Sequence, residues 1–285
     1  MMGGVELGGT KTRVARGMAD GRILDSDTFP TEAPDQTFAK IVAFFARGEP
    51  VAALGVGAFG PVSINRRDDD YGRLRRTPKP GWQGFDIGAG LAPLRVPFAL
   101  DTDVNVAGIG ESRLGALKEV DCGVYLTVGT GIGGALMLDG RPVHGAAHPE
   151  MGHIGLVRQP GDDAPSFCPY HPDCAEGLAA GPAIEQRYGA TLSELGSGHP
   201  AHALVADYIG QLAMGLVLFA SAERIVIGGG VAKAPGFHAA AHAAMLARLN
   251  GYGVADVMQR PGFIVPPTLG DDAGLTGALI LAGQA

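Results

Sequence analysis

Cysteine is scarce: the 285 residues hold three, an odd number and too few for a disulfide framework. Charge is sparse as well, at 18% Asp, Glu, Lys and Arg, and there is no basic excess, with 22 Lys plus Arg against 29 Asp plus Glu and a net charge of −7. A nucleic-acid binder works by neutralising phosphates, so this balance disfavours that class. No apolar run is long enough to span a bilayer; the longest, Ala203 to Ala222, carries Asp207 and Gln211 and reads as an amphipathic or buried helix. Met1 to Gly9 lacks the basic start and long apolar stretch of a signal peptide. These absences predict a soluble, cytoplasmic protein with no membrane and no nucleic-acid partner.

Apolar residues and glycine are plentiful: 46% of the chain is hydrophobic and 46 residues are glycine, clustered after apolar runs where turns would fall. That composition predicts two buried cores around one cleft. A loose duplication is visible. Val5 to Gly17 and Val124 to Gly140 each read as strand, glycine turn and returning strand, and Val51 to Pro61 and Arg224 to Ala232 each read as a buried strand ending in a glycine loop. Helices are predicted from within Phe98 to Asn105 to about Leu117, and over Ala203 to Ala222, Phe237 to Leu249 and Asp271 to Ala282, the last with Asp271 or Asp272 as a plausible cap. The alternation of strands and helices predicts an α/β architecture. The expected division is an N-terminal lobe over 1–110 and a larger C-terminal lobe over 111–270 with an insertion at 144–176, residues 271–285 packing back on the first lobe.

Three glycine loops are candidates for holding phosphates or a nucleoside. Gly8-Gly9-Thr10-Lys11 offers backbone N–H groups, a hydroxyl and a positive charge, the alternative being an ordinary hairpin turn. Gly129-Thr130-Gly131-Ile132-Gly133-Gly134 sits in a hairpin and lacks both the P-loop ending and the strand-to-helix setting of a dinucleotide fingerprint. Gly228-Gly229-Gly230 follows a strand and leaves a flat backbone surface. The basic run Arg73, Arg75, Arg76 and Lys79 follows Asp68 to Asp70 and reads as a solvated loop.

A carboxylate at the strand-to-helix junction Phe98 to Asn105 could accept the proton of an attacking hydroxyl, and Asp103 is the candidate; the alternative is that Asp101, Thr102 or Asp103 simply caps the helix. His153, Cys168, His171 and Cys174 place four zinc-type donors within 22 residues, a full tetrahedral set and therefore a structural rather than catalytic metal, against the alternative of a buried thiol pair and two solvent histidines. Glu150 and Glu176 flank that cluster and are candidates for gripping hydroxyl groups, and the second ring nitrogen of His153 would be left for a ligand or a second partner. Cys122 stands alone and reads as a core residue.

The segments ELGGTK, DTDVNVAGIGE, TVGTGIGGA, HPEMGHI, CPYHPDCAEGLAAGPAIEQR and IVIGGGV, in this order, resemble the ROK family of sugar kinases and repressors, and within it the bacterial fructokinase branch. The resemblance implies an actin-like, hexokinase-type (ribonuclease H-like) duplicated two-domain fold that closes over the sugar. It implies transfer from ATP, with Mg²⁺, to the 6-hydroxyl of a hexose such as fructose. It further implies Asp103 as catalytic base, Glu150, His153 and Glu176 at the sugar, the loops Gly8 to Lys11 and Gly129 to Gly133 at the phosphates, Gly228 to Gly230 at the adenosine, and a homodimer. Glu6 stands where many relatives have Asp and is a candidate Mg²⁺ contact. Thr102 replaces a glucokinase-type asparagine, and the C-x-x-H-x-x-C spacing points to the fructokinase branch. Mannose, glucose and N-acetylated hexosamines are alternative acceptors. A transcription regulator is not expected, because the first glycine turn leaves no room before it for a DNA-binding domain.

Overall fold

A computed structural model describes residues 1–77 and 79–285. In chain order the elements are β1 (Met2–Leu7), β2 (Lys11–Gly17), β3 (Ile23–Pro30), α1 (Pro34–Ala46), β4 (Leu54–Ala58), α2 (Ile87–Leu91), β5 (Phe98–Thr102), α3 (Asp103–Leu114), β6 (Cys122–Val128), β7 (Ile132–Leu138) and β8 (Arg141–Pro142). They continue with α4 (Ala175–Ala179), α5 (Gly181–Tyr188), α6 (Pro200–Ala220), β9 (Arg224–Gly228), α7 (Phe237–Leu249), α8 (Asp256–Gln259), β10 (Ile264–Val265) and α9 (Ala273–Ala282). They form two compact units. The first comprises Met1–Gly115, Pro142–His148 and Asp271–Ala285; the second comprises Ala116–Arg141 and Pro149–Gly270.

The first unit is built on a sheet of order β3-β2-β1-β4-β5, with β1 antiparallel to β2 and parallel to β4, and β4 parallel to β5. Every residue of β4 is buried, and so is every residue of α9, whose sequence AGLTGALILA has no polar face. A strand covered on both faces reads as an unbroken apolar run, as LGVGA does. Its glycines let helices lie close: a Cβ at Gly57 would sit 3.0 Å from Val106 Cβ and 3.2 Å from Asp103 Cα. The start of α3 is thereby seated on β4. Leu7, Ile41, Leu54, Leu74 and Trp82 are fully or almost fully buried in this core, each such aliphatic side chain contributing about 2 kcal/mol of transfer free energy.

The second unit repeats the plan. Its sheet runs β10-β9-β6-β7-β8, with β6 antiparallel to β7 and parallel to β9, and β9 parallel to β10. Strand for strand the order matches the first sheet, so the duplication expected from the sequence is present in the topology. Helix α6 is long and apolar enough to cross a membrane by length and composition, and 56% of its most apolar window is buried inside the unit. Tyr208, Ile209, Leu212 and Ala213 face the core, and Asp207 on the same helix takes three hydrogen bonds from the Arg248 guanidinium of α7, at 2.8, 2.9 and 3.0 Å. The apolar stretch is thus a core helix with one ion-paired flank.

Two local expectations differ. Helix α9 begins at Ala273 after a 3-10 turn over Gly270–Asp272, with Asp272 at the N-cap position but without a side-chain capping hydrogen bond. The Asp272 carboxylate instead meets Arg13 Nη2 at 2.6 Å, because an ion pair with a half-buried guanidinium outcompetes a neutral cap. Cys122 is partly buried at the start of β6, with its thiol donating to the Ala220 carbonyl at 3.2 Å.

Candidate active site

In the first unit the corner between β5 and α3 carries Asp103. Thr102 is the helix N-cap, its hydroxyl accepting the Asn105 N–H at 3.1 Å, which leaves Asp103 at the first helical position. The hydroxyl, not the carboxylate, serves as the cap. Asp103 Oδ1 accepts the N–H of Val104 at 2.9 Å. Around it lies a polar cluster. Asp101 is 2% exposed; its Oδ1 accepts the Thr102 N–H at 2.8 Å and the Asn105 amide at 2.6 Å, and its Oδ2 lies 2.8 Å from His144 Nε2. The Asp101 acceptor fixes the orientation of the Asn105 amide, so the buried Asn105 Oδ1 is left with no donor among the described residues. His148 Nε2 accepts the Val62 N–H at 3.3 Å, just after a cis bond between Gly60 and Pro61.

The turn between β1 and β2 is Gly8-Gly9-Thr10, closed by the Gly8 N–H donating to the Lys11 carbonyl at 3.1 Å. Thr31 braces it from the side, with its hydroxyl on the Gly8 carbonyl at 2.7 Å and its N–H on the Thr10 carbonyl at 2.9 Å. Lys79 Nζ donates to the Gly9 carbonyl at 2.6 Å and the Thr31 carbonyl at 3.0 Å. In the basic run, Arg75 pairs with Asp68 and Asp70 and Arg73 with Asp86, all partly exposed. Lys79 departs from the solvated-loop reading, because two carbonyls of a tight turn offer an ammonium better partners than water. Glu6 lies on β1 with its carboxylate 3.4 Å from Arg13 Nη1, and burial raises its pKa against the opposing pull of Arg13 and Lys11. A magnesium ion at Glu6 would share this carboxylate with Arg13.

In the second unit the turn Gly129-Thr130-Gly131 links β6 to β7, and Gly133 lies on β7 opposite Thr127 rather than in the turn itself. The Gly129 N–H donates to the Gly131 carbonyl at 2.9 Å, and the Gly129 carbonyl accepts the Gly181 N–H at 2.7 Å. Gly228 ends β9, and a Cβ built at Gly129 would lie 3.7 Å from the Gly230 nitrogen, so the two glycine loops of this unit adjoin. Gly229 adopts φ +92°, and a Cβ there would collide with the Val128 backbone; only glycine fits.

The His/Cys segment folds as four converging donors. The ligand atoms of His153, Cys168, His171 and Cys174 all lie within 4.8 Å of one another. His153 Nδ1 is 3.7 Å from both sulfurs, and His171 Nδ1 is 3.7 Å from Cys168 Sγ. Tetrahedral zinc, with Zn–S near 2.3 Å and Zn–N near 2.0 Å, requires S···N separations of about 3.6 Å, so the set fits that ion. Cys174 also caps α4, its sulfur accepting the Gly177 N–H at 3.4 Å. With Nδ1 on the sulfur side, His153 turns Nε2 toward Glu176 Oε1, 3.9 Å away, while Glu176 Oε2 accepts the Ile132 N–H at 2.9 Å. Glu176 therefore couples the donor cluster to the Gly129–Gly133 turn. Glu150, just before the 3-10 turn Met151–His153, keeps an exposed surface. The protein packed about it still withholds enough water to lift its carboxyl above the ordinary carboxylate range, with Glu176 adding to the shift and His153 opposing it.

The profile of the ROK family matches residues 2–285. The chain belongs to the ROK family. It is 38% identical to the fructokinase of Pediococcus pentosaceus over all of this chain and 98% of that protein, and 39% identical to the fructokinase of Zymomonas mobilis over 98% and 95%. Among solved structures, a ROK family glucokinase from Streptomyces griseus, in complex with glucose and AMPPNP, superposes with a TM-score of 0.80 at 26% identity, covering 100% of this chain and 99% of that one. The ROK hexokinase-type α/β two-domain fold expected from the motifs is the fold observed. The sequence offers Asp101 only as a possible cap, Lys79 only as part of a solvated run and His144 only as an exposed loop residue, and gives Asn105 no role of its own; the contacts that engage them join residues 4 to 70 apart in sequence. Asp101 and Asn105, each two residues from Asp103, are legible as polar groups at a buried strand end; no local pattern announces the partners of Lys79 or His144.

Proposed function

We propose that the protein is an ATP-dependent fructokinase, transferring the γ-phosphoryl group of Mg·ATP to the 6-hydroxyl of fructose. The observation that carries the reading is full-length identity of 38–39% to fructokinases together with an ionisable carboxylate at position 103 on a rigid strand-to-helix corner. In this reading Asp103 accepts the proton of the attacking hydroxyl, while positioning and charge stabilisation of the transferring group supply most of the acceleration. The turns Gly8 to Lys11 and Gly129, Thr130, Gly131 and Gly133 serve the phosphates, the Gly8 and Gly129 N–H groups closing the turns rather than meeting the anion, and Gly228, Gly229 and Gly230 serve the nucleoside. Glu150, His153 Nε2 and Glu176 accept from or donate to the sugar hydroxyls. Magnesium enters with the nucleotide. Zinc, held by His153, Cys168, His171 and Cys174, supplies cross-linking of the 153–174 segment and no open coordination position. The chain works as a homodimer, by analogy with related kinases.

The test is fructose-dependent release of ADP, measured for the native chain and for Asp103→Asn. The native chain turns over; the variant loses at least about a thousandfold in kcat while still binding fructose. Turnover by the variant within tenfold of native would remove the base from the mechanism.

A further inference from the structure

His144 belongs to the segment Pro142–His148, which clusters with the first unit although the residues on both sides of it, Arg141 and Pro149, belong to the second. Two polar contacts fasten the segment there, His144 Nε2 to Asp101 Oδ2 at 2.8 Å and the Val62 N–H to His148 Nε2 at 3.3 Å. Asp101 is 2% exposed, and a carboxylate so buried needs every oxygen partnered. Its Oδ1 is already taken by the Thr102 N–H and the Asn105 amide. Oδ2 has to find its donor outside the corner, and the His144 ring supplies it. A carboxylate oxygen carries no hydrogen, so Nε2–H is the donor, and the 3.4 Å approach of the Asn105 amide to the same nitrogen is a packing contact. The hydrogen bond to Asp101 raises the pKa of His144 against its partial burial, which favours the imidazolium and strengthens the bond.

The geometry assigns His144 as a positioning residue for phosphoryl transfer: its bond to Asp101 fixes the β5–α3 corner and with it the direction in which Asp103 meets the acceptor hydroxyl. This rests on the kinase reading above. Asp103 is bracketed by Asp101 two residues before it and Asn105 two residues after it, joined to each other at 2.6 Å. Loss of the His144 donor leaves Asp101 Oδ2 to recruit water or to rotate, and rotation breaks the bracket. A displacement of about 1 Å at a reacting group can cost up to about a hundredfold in rate. Glu150, His153 and Glu176 are untouched by the change, so affinity for the sugar is retained.

The experiment is steady-state kinetics of the full chain with fructose and ATP for His144→Phe, which fills the space without a donor, and His144→Gln, whose amide can donate as Nε2–H does. His144→Phe lowers kcat about tenfold, with both KM values within about twofold of native. His144→Gln recovers most of the loss, which a general packing role would not allow. Equal kcat in the two variants, or a native kcat in His144→Phe, overturns the assignment. Asp103→Asn run in parallel separates the two levels: near-native turnover there sinks the kinase mechanism, whereas its loss alongside an unaffected His144→Phe sinks the positioning role alone. Should His144→Phe fail to fold, His144→Ala is read by the same criteria.

Discussion

Asp103 and the residues beside it show how a short stretch divides its labour. Thr102 caps the helix, Asp101 and Asn105 bind each other, and the carboxylate between them is left at the first helical turn. Glu150 offers the corresponding test for the sugar. Its carboxyl sits near Glu176 and His153, and burial disfavours its charge; a hydroxyl donor arriving there offsets that cost by hydrogen-bonding to the ionised form. Glu150→Gln keeps the shape and removes the charge. The expected result is a rise of about tenfold in the KM for fructose with a smaller change in kcat; an unchanged KM takes Glu150 out of the sugar contacts. At this scale much was legible. A carboxylate at a strand end, two glycine turns and four metal-type donors are local features of the sequence. Lys79 and His144 were not legible, because their partners Gly9 and Asp101 lie far away in sequence and become neighbours only through the fold.

Elements carry the site by a few close approaches. Glycine at 57 seats the first turn of α3 against β4, and α4, capped by Cys174, brings Glu176 up to the Gly129–Gly133 turn. The donor cluster therefore governs more than its own loop: it holds His153, whose ring faces Glu176, which in turn holds the Ile132 N–H. Metal analysis is expected to find about one zinc per chain. Chelation should lower the thermal midpoint by at least about 5 °C and reduce activity in parallel. A zinc-free chain that stays fully folded and fully active contradicts this. The two hairpins and helices α3, α6, α7 and α9 could be read from local pattern, whereas α1, of the same length as α7, was not. The missing side-chain cap of α9 could not be read, since Arg13, 259 residues earlier, holds the Asp272 carboxylate.

On the scale of the whole molecule, two units share one strand order, and each places a glycine turn between its first two strands. The duplication was visible in the sequence because buried strands and glycine turns are short-range patterns that survive divergence. The inclusion of 142–148 in the first unit was not, because no local pattern announces that a segment leaves one core for another. Choice of sugar depends on a few side chains placed on this common frame; Thr102, which stands where the resemblance expects a glucokinase-type asparagine, is committed here to capping α3, and glucose is expected to be the poorer acceptor. The most direct test is kcat/KM across fructose, mannose, glucose and N-acetylated hexosamines, with the phosphorylated product identified by phosphorus NMR. The account predicts fructose as the best acceptor and fructose 6-phosphate as its product. Preference for another hexose by about tenfold or more, or a phosphate on a different oxygen, would contradict it.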